Sequence, residues 1–159
     1  MDATAGRVLV AGLLGGAALL AGSVSAPAAG ACRPTLSSGG GPFEQNAVVP
    51  PLRSRIGRGH VLTGRVLRAP DCAPIRGATV ELWQAGANGS YDRRGRARVI
   101  TNRTGTFRFE GPVPGSEFGR RPHIHIHVVA PGYPDFVTTY FVPRGERRGT
   151  IRIVLVSDL

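Results

Sequence analysis

The sequence contains no lysine, so every one of its 20 basic residues is arginine and the formal net charge is +10. The arginines are scattered along the chain, and neither a nucleic-acid motif nor an aromatic platform accompanies them. This pattern, with much alanine, glycine and proline, is more typical of a codon bias than of a nucleic-acid surface. We therefore expect no nucleic-acid partner and favour a small anionic substrate.

The chain also lacks a helical hydrophobic period, a heptad pattern and an internal repeat. In their place are short apolar segments of β type, separated by turn signals roughly every ten residues. These features predict an all-β, single-domain sandwich of about seven short strands. The predicted strands are His60–Leu67, Thr79–Gln84, Arg98–Thr101, Thr106–Phe109, one within Arg120–Val128, Phe136–Val142 and Thr150–Val156. Asn102 to Gly105 is expected to form a hairpin-like turn between two of them.

Long apolar runs are scarce, and the one present lies at the start of the chain. Residues 8–21 are apolar but short for a membrane span, and small residues follow, as in an export signal. We therefore predict a cleaved signal peptide and linker over residues 1–31, an extended arm over 32–58 and a metal-binding sandwich over 59–159. The mature protein would be secreted or held in the cell envelope, with no stable membrane span; a lipid-anchored form is the less favoured alternative.

Cysteine is rare, with Cys32 and Cys72 as the two examples. In an exported protein two cysteines most simply pair with each other. We expect this disulfide to close a loop of about 40 residues and to tie the arm to the sandwich.

Three of the four histidines lie at alternate positions of one short stretch, His123, His125 and His127. Side chains alternate between the two faces of a strand, so the histidines share one face and the intervening apolar residues face the core. His-x-His on a strand can offer two imidazoles to one metal ion, whereas the plainer interpretation is a solvated face. The fourth histidine, His60, precedes a strand alone and is expected at the surface.

Two loops lead toward this strand, one containing Tyr91 and the other containing Glu117 and leading directly to Arg120. Imidazole nitrogens together with an anionic oxygen suit iron better than a structural zinc site. A tyrosinate ligand would favour the ferric state, because its oxygen is hard and electron-rich. Arg120 could hold a substrate anion or developing negative charge.

Several short motifs bear a wider resemblance. They are G-P-F (41–43), L-x-G-R-V (62–66), C-x-P-x-x-G-A-x-V-E-L-W (72–83), G-x-Y (89–91), T-x-x-x-G-x-F-x-F (101–109) and R-x-P-H-I-H (120–125). Together they resemble the intradiol ring-cleavage dioxygenases, in particular small exported members of the protocatechuate and catechol dioxygenase type. Residues 62–110 alone also resemble transthyretin-like modules, which are not enzymes.

The dioxygenase resemblance implies a non-haem ferric iron held by two tyrosinates and two histidines. It also implies that O₂ opens a catechol between its hydroxyl-bearing carbons to give a muconate-type diacid. Residue by residue, Tyr91 matches one tyrosinate, His123 and His125 match the imidazoles, and Arg120 matches the arginine that steadies negative charge.

The family's second tyrosine is missing from residues 115–119. Three residues could replace it, namely Glu117, Tyr140 on the following strand, or His127; a fourth possibility is that nothing replaces it and the site is altered or inactive. The sequence slightly favours Tyr140, because it restores a phenolate and its strand is expected beside the histidine strand. Tyr140 would then take part in catalysis with Arg120. Two other functions stay open: oxidation by copper or iron bound to the three histidines, and non-enzymatic binding by a transthyretin-like module. The sequence does not predict the oligomeric state.

Overall fold

The computed structural model describes Met1, residues 32–39 and residues 49–158. Within these ranges the chain forms seven strands: β1 (His60–Arg68), β2 (Thr79–Gln84), β3 (Arg96–Ile100), β4 (Thr106–Gly111), β5 (His123–Val129), β6 (Phe136–Phe141) and β7 (Arg148–Leu155). A 3₁₀ turn, Arg93–Gly95, precedes β3. No helix in the described part of the chain has the length and apolar character needed to span a membrane. Apart from Met1, the predicted signal peptide lies outside the described residues, as does the motif at 41–43.

The strands form two sheets, with the orders β4-β1-β7 and β3-β2-β5-β6. The β1–β7 pair is parallel and the other pairs are antiparallel. The predicted all-β sandwich is confirmed. The core lies between the sheets, and Ile124, Ile126 and Val128 of β5 are completely buried in it. Their burial confirms the predicted orientation of the histidine strand.

The turn at residues 102–105 corrects one expectation. It does close on itself, since the backbone N–H of Asn102 donates to Thr106 O at 3.0 Å and that of Gly105 donates to Asn102 O at 3.0 Å. However, β3 pairs with β2 and β4 pairs with β1, so this turn carries the chain from one sheet to the other. Short spacing and turn residues indicate a reversal of the chain, but they do not decide which strand pairs with which.

The leading segment is attached to the sandwich by a disulfide between Cys32 and Cys72, which confirms the predicted pairing. Backbone hydrogen bonds continue the attachment on both sheets, from Thr35 N to Val154 O at 3.0 Å and from Ser38 N to Val137 O at 3.1 Å. The described part of the predicted arm therefore contacts strands of each sheet.

Candidate metal centre

At His123 and His125 the outer face of β5 is covered rather than solvated, whereas His127 on the same face is partly exposed. β5 lies between β2 and β6, and its histidines at 123 and 125 are 1% and 3% exposed. Trp83 of β2 is paired directly with His125, and the two rings stack with centroids 5.4 Å apart. A large aromatic ring beside the imidazole restricts its orientation, so the direction of the His125 Nε2 atom is fixed.

Two loops pack against each other over this face, the one after β2 and the one before β5. Glycine makes the approach possible, because a Cβ at Gly89 would overlap the carbonyl oxygen of Ser116 and one at Gly115 would overlap that of Gly86. Gly89 also has a positive φ of 78°, which few other residues adopt without strain. Each loop thereby brings one oxygen-bearing side chain to the histidines.

Four side chains, Tyr91, Glu117, His123 and His125, form what we call the donor cluster. The Tyr91 hydroxyl lies 3.2 Å from Glu117 Oε2, 3.2 Å from His123 Nε2 and 3.1 Å from His125 Nε2. The two Nε2 atoms are 3.2 Å apart, and Glu117 Oε2 is 3.5 Å from His123 Nε2. Ligands bonded to a single ion at about 2.1 Å have separations of about 3.0–3.4 Å, so these donors fit one metal ion.

The two histidines of the cluster can offer lone pairs to a cation, whereas Tyr91 would first have to lose a proton. His123 Nδ1 is 2.8 Å from Arg121 O, and an N–H there leaves the Nε2 lone pair directed at the other donors. Burial, followed by the charges of His123 and Arg120, lowers the pKa of His125 to about 4. Burial and the nearby Glu117 raise the pKa of the Tyr91 phenol, so an entering cation would be needed to remove its proton.

Arg120 borders the donor cluster on its solvent side. Its Nη1 lies 3.5 Å from Glu117 Oε2, and its side chain is about half exposed while that of Glu117 is buried. A tight turn sets this arrangement, with Arg120 N donating to Glu117 O at 2.7 Å and positive φ at Phe118 and Gly119. Arg120 can therefore contact both the cluster and a molecule that arrives from solvent.

The three candidates for the missing ligand lie in different places. Glu117 is within the cluster. Tyr140 is paired with Ile124 across β5 and β6, so it points toward the interior between the sheets, and burial raises its pKa. His127 is engaged elsewhere, with Nε2 at 3.2 Å from Asp135 Oδ2 and Nδ1 at 3.6 Å from Glu81 Oε2. The slight preference for Tyr140 is therefore not supported by where the strand places it.

His60 requires a correction, because it is buried rather than at the surface. It is 1% exposed, its Nδ1 lies 3.1 Å from Glu146 O, and its ring stacks on Tyr140. The alternation along β1 could have indicated this burial. His60 lies two residues before the buried Leu62, and residues two apart on a strand face the same side.

Comparison with known proteins agrees with this geometry. A family model described as Dioxygenase matches residues 33–147. The 6-chlorohydroxyquinol 1,2-dioxygenase of Cupriavidus pinatubonensis is 33% identical, over 48% of this chain and 37% of that protein. The chain thus spans little more than a third of the length of this curated relative.

Solved structures are similar over most of the chain. The dioxygenase domain of a dioxygenase–carbohydrate-binding protein fusion from Streptomyces sp. SirexAA-E has a TM-score of 0.69 at 26% identity, covering 79% of this chain and 99% of that one. An intradiol ring-cleavage dioxygenase from Tetranychus urticae has a TM-score of 0.69 at 20% identity, with coverage of 79% and 95%. The second likeness shows the shared fold.

Proposed function

Because this chain belongs to the intradiol ring-cleavage dioxygenase family, we propose that it is an enzyme that cleaves a catechol-like aromatic with O₂. The observation that carries the proposal is the buried donor cluster, in which two imidazoles, a phenol and a carboxylate converge within hydrogen-bond distance. Tyr91 has one hydroxyl proton for the three acceptor atoms around it, so a bound cation accounts for their convergence better than hydrogen bonds alone.

We propose ferric iron as that cation, held by Tyr91, Glu117, His123 and His125. A phenolate and a carboxylate are hard anionic oxygens, and together with two neutral imidazoles they match a ferric ion better than a soft one. In this assignment Glu117 takes the place of the family's second tyrosinate. Copper bound by three histidines is less favoured, because the ring of His127 is hydrogen-bonded to Asp135.

Bound iron would chelate a catechol through both of its oxygens and activate the catechol toward O₂. The protein's own groups have separate tasks. The Tyr91 hydroxyl donates to Glu117 Oε2, 3.2 Å away, and it would lose its proton to solvent when a cation binds, so that phenolate and carboxylate both bind as anions. The guanidinium of Arg120 stands at the rim of the cluster, where it can stabilise negative charge on the substrate ring. Both oxygen atoms of O₂ enter the product, so catechol and O₂ combine into one muconate-type diacid.

The experiment is turnover by purified, iron-loaded protein, with O₂ consumption and diacid formation followed together. We expect one O₂ consumed for each diacid formed, and we expect His125→Ala to abolish the reaction. His127→Ala is the matched control, since His127 occupies the same strand outside the cluster and should retain activity. Full iron loading without O₂ consumption on any catechol would overturn the proposal.

We also propose that the protein works outside the cytoplasm. The Cys32–Cys72 disulfide is typical of an oxidising compartment. Secretion of the mature chain, detected in culture medium or cell envelope by mass spectrometry of its new N-terminus, would test this; a cytoplasmic, uncleaved chain would contradict it.

A further inference from the structure

One arginine of the predicted arm contacts the loop that carries a member of the donor cluster. Arg53 is partly buried, and its guanidinium donates four hydrogen bonds to backbone carbonyl oxygens within residues 93–96. These residues form the 3₁₀ turn that follows Tyr91 and the start of β3. We propose that Arg53 is a positioning residue that holds Tyr91 at the donor cluster and supports His125 through Trp83. The inference rests on the proposed function for the bound iron, whereas the contacts of Arg53 involve no metal.

The turn after Tyr91 is fixed at both ends. At its start, Asp92 Oδ1 accepts a hydrogen bond from Arg94 N at 2.7 Å. At its end, Arg53 Nη2 lies 3.2 Å from Arg94 O and 2.7 Å from Arg96 O, and Arg53 Nε lies 3.1 Å from Arg96 O. A cationic donor suits this end, because the last carbonyls of a helical turn lack partners within the turn. An aspartate and an arginine therefore define the path of the chain directly after Tyr91.

The loop that carries Tyr91 needs such contacts. Residues 85–92 contain neither strand nor helix, so ordering them costs conformational entropy. On one side, the loop packs through Gly89 against the backbone of the loop before β5. On the other side, Arg53 N donates to Arg98 O at 2.9 Å, so the guanidinium extends from a backbone that is itself attached to β3. Tyr91 lies in the chain between these two points of attachment.

The Arg53 guanidinium also supports the histidine side of the cluster. Arg96 and Trp83 are paired across β3 and β2, and the Arg96 guanidinium lies over the Trp83 ring at 5.7 Å. The indole stacks on His125, whose Nδ1 has no hydrogen-bond partner among the described residues. His123 differs, because its Nδ1 lies 2.8 Å from a backbone carbonyl oxygen. The orientation of His125 therefore depends on stacking, and Arg53 fixes the backbone at which that stack begins.

Arg55 provides a matched control two residues further along the arm. Its side chain forms a salt bridge of 2.8 Å with Glu110 of β4, which belongs to the other sheet. Replacing either arginine by glutamine removes one positive charge from the same segment. A general loosening of the arm would affect both variants, whereas loss of a positioning contact would affect Arg53→Gln alone.

The first measurement is amide hydrogen exchange by NMR in the metal-free full chain. We expect Arg53→Gln to accelerate exchange at Arg94 and Gly95 by roughly tenfold, because charge-assisted hydrogen bonds at the end of the turn are lost. Arg55→Gln should leave these two amides unchanged. Since no metal is present, this measurement distinguishes failure of the inference from failure of the proposed function.

The second measurement is iron binding by the same proteins. We expect Arg53→Gln to reduce iron affinity by roughly tenfold and to weaken the phenolate-to-iron absorption band at equal bound iron, because Tyr91 is less often in place. In Arg53→Ala, added ethylguanidinium should restore both properties, whereas ethylammonium should not, because it lacks the forked donors.

These results together support the positioning role. Unchanged exchange in Arg53→Gln, or equal changes in Arg53→Gln and Arg55→Gln, overturns it. Faster exchange with wild-type iron affinity and a wild-type absorption band also overturns it, because Arg53 would then order the turn without positioning a ligand.

Discussion

Two histidine–tyrosine pairs in this molecule have nearly the same ring separation and different surroundings. The Tyr91 and His125 rings are 5.9 Å apart, and the His60 and Tyr140 rings are 5.8 Å apart. A second imidazole and a carboxylate converge on the first pair. At the second pair, His60 Nδ1 contacts a backbone carbonyl, and its buried Nε2 has no hydrogen-bond partner among the residues that the structure describes. Converging lone pairs, rather than residue types at a given distance, distinguish the candidate metal centre from a packing contact.

The largest expected effect is on metal affinity, and it distinguishes the histidines of the donor cluster from His60. His123→Ala or His125→Ala should reduce metal affinity more than hundredfold, since each removes a ligand from the cluster. The sandwich should remain folded because the apolar residues of β5 face the core. Metal content by elemental analysis, with circular dichroism for folding, measures both.

His60→Gln is the control for that pair of variants. It should retain stoichiometric metal, because His60 lies between the sheets and outside the cluster. If both β5 variants retained the metal and His60→Gln lost it, the metal would have to be assigned to the His60–Tyr140 pair instead.

The next effect compares the two candidates for the missing ligand. Glu117→Gln should reduce iron affinity by roughly 10–100-fold, because a neutral amide replaces an anionic donor at the cluster. Tyr140→Phe should leave iron affinity unchanged, since its hydroxyl points toward the space between the sheets. Competition with a chelator of known affinity provides the measurement, and equal losses in both variants would contradict this account.

A smaller effect tests the packing role of the second pair. A Cβ at Gly149 would overlap the Tyr140 hydroxyl, so Gly149→Ala should reduce the free energy of unfolding by about 1–3 kcal/mol. Metal content should not change. Adding Tyr140→Phe to this variant should restore part of the stability, because the overlapping oxygen is removed. Chemical denaturation of the wild type, Gly149→Ala and the double variant tests this, and no recovery would show that the clash lies elsewhere.

The smallest expected effect is on the pH dependence of stability, and it concerns Asp71, which lies away from both histidine–tyrosine pairs. Hydrogen bonds from Arg68 and from Ala73 N lower the pKa of Asp71 from 3.8 to about 2. The folded state therefore binds this proton less readily than the unfolded chain, and the stabilisation is present above pH 4 and lost as the pH falls toward 2. In thermal melts Asp71→Asn should be less stable than the wild type above pH 4, and the difference should shrink below it. A constant difference across that range would contradict the assignment.

The local pattern of residues was enough to predict much of the fold. Strict alternation predicted the orientation of β5, and β2 was predicted with its observed limits, Thr79–Gln84. The strand after the histidines, β6, pairs with β5, as is usual for consecutive strands joined by a short turn. These features depend on neighbours within a few residues, which is the range that periodicity reports.

The composition of the site was harder to predict, because it depends on contacts between distant residues. Glu117 reaches the histidines only because Gly89 and Gly115 allow two loops to pack backbone against backbone. Tyr140 has the ligand type that the resemblance suggested, yet its register with Ile124 directs it to the other face. Register and loop packing are tertiary properties, and residue type alone does not determine them.

The central claim is that Tyr91 supplies the phenolate of a ferric site shared with Glu117, His123 and His125. The most direct measurement is the visible absorption spectrum of ferric-loaded wild type, Tyr91→Phe and Tyr140→Phe, compared at equal bound iron. The account predicts a phenolate-to-iron charge-transfer band in the wild type and in Tyr140→Phe, and no such band in Tyr91→Phe. A band that persists in Tyr91→Phe and disappears in Tyr140→Phe would contradict it.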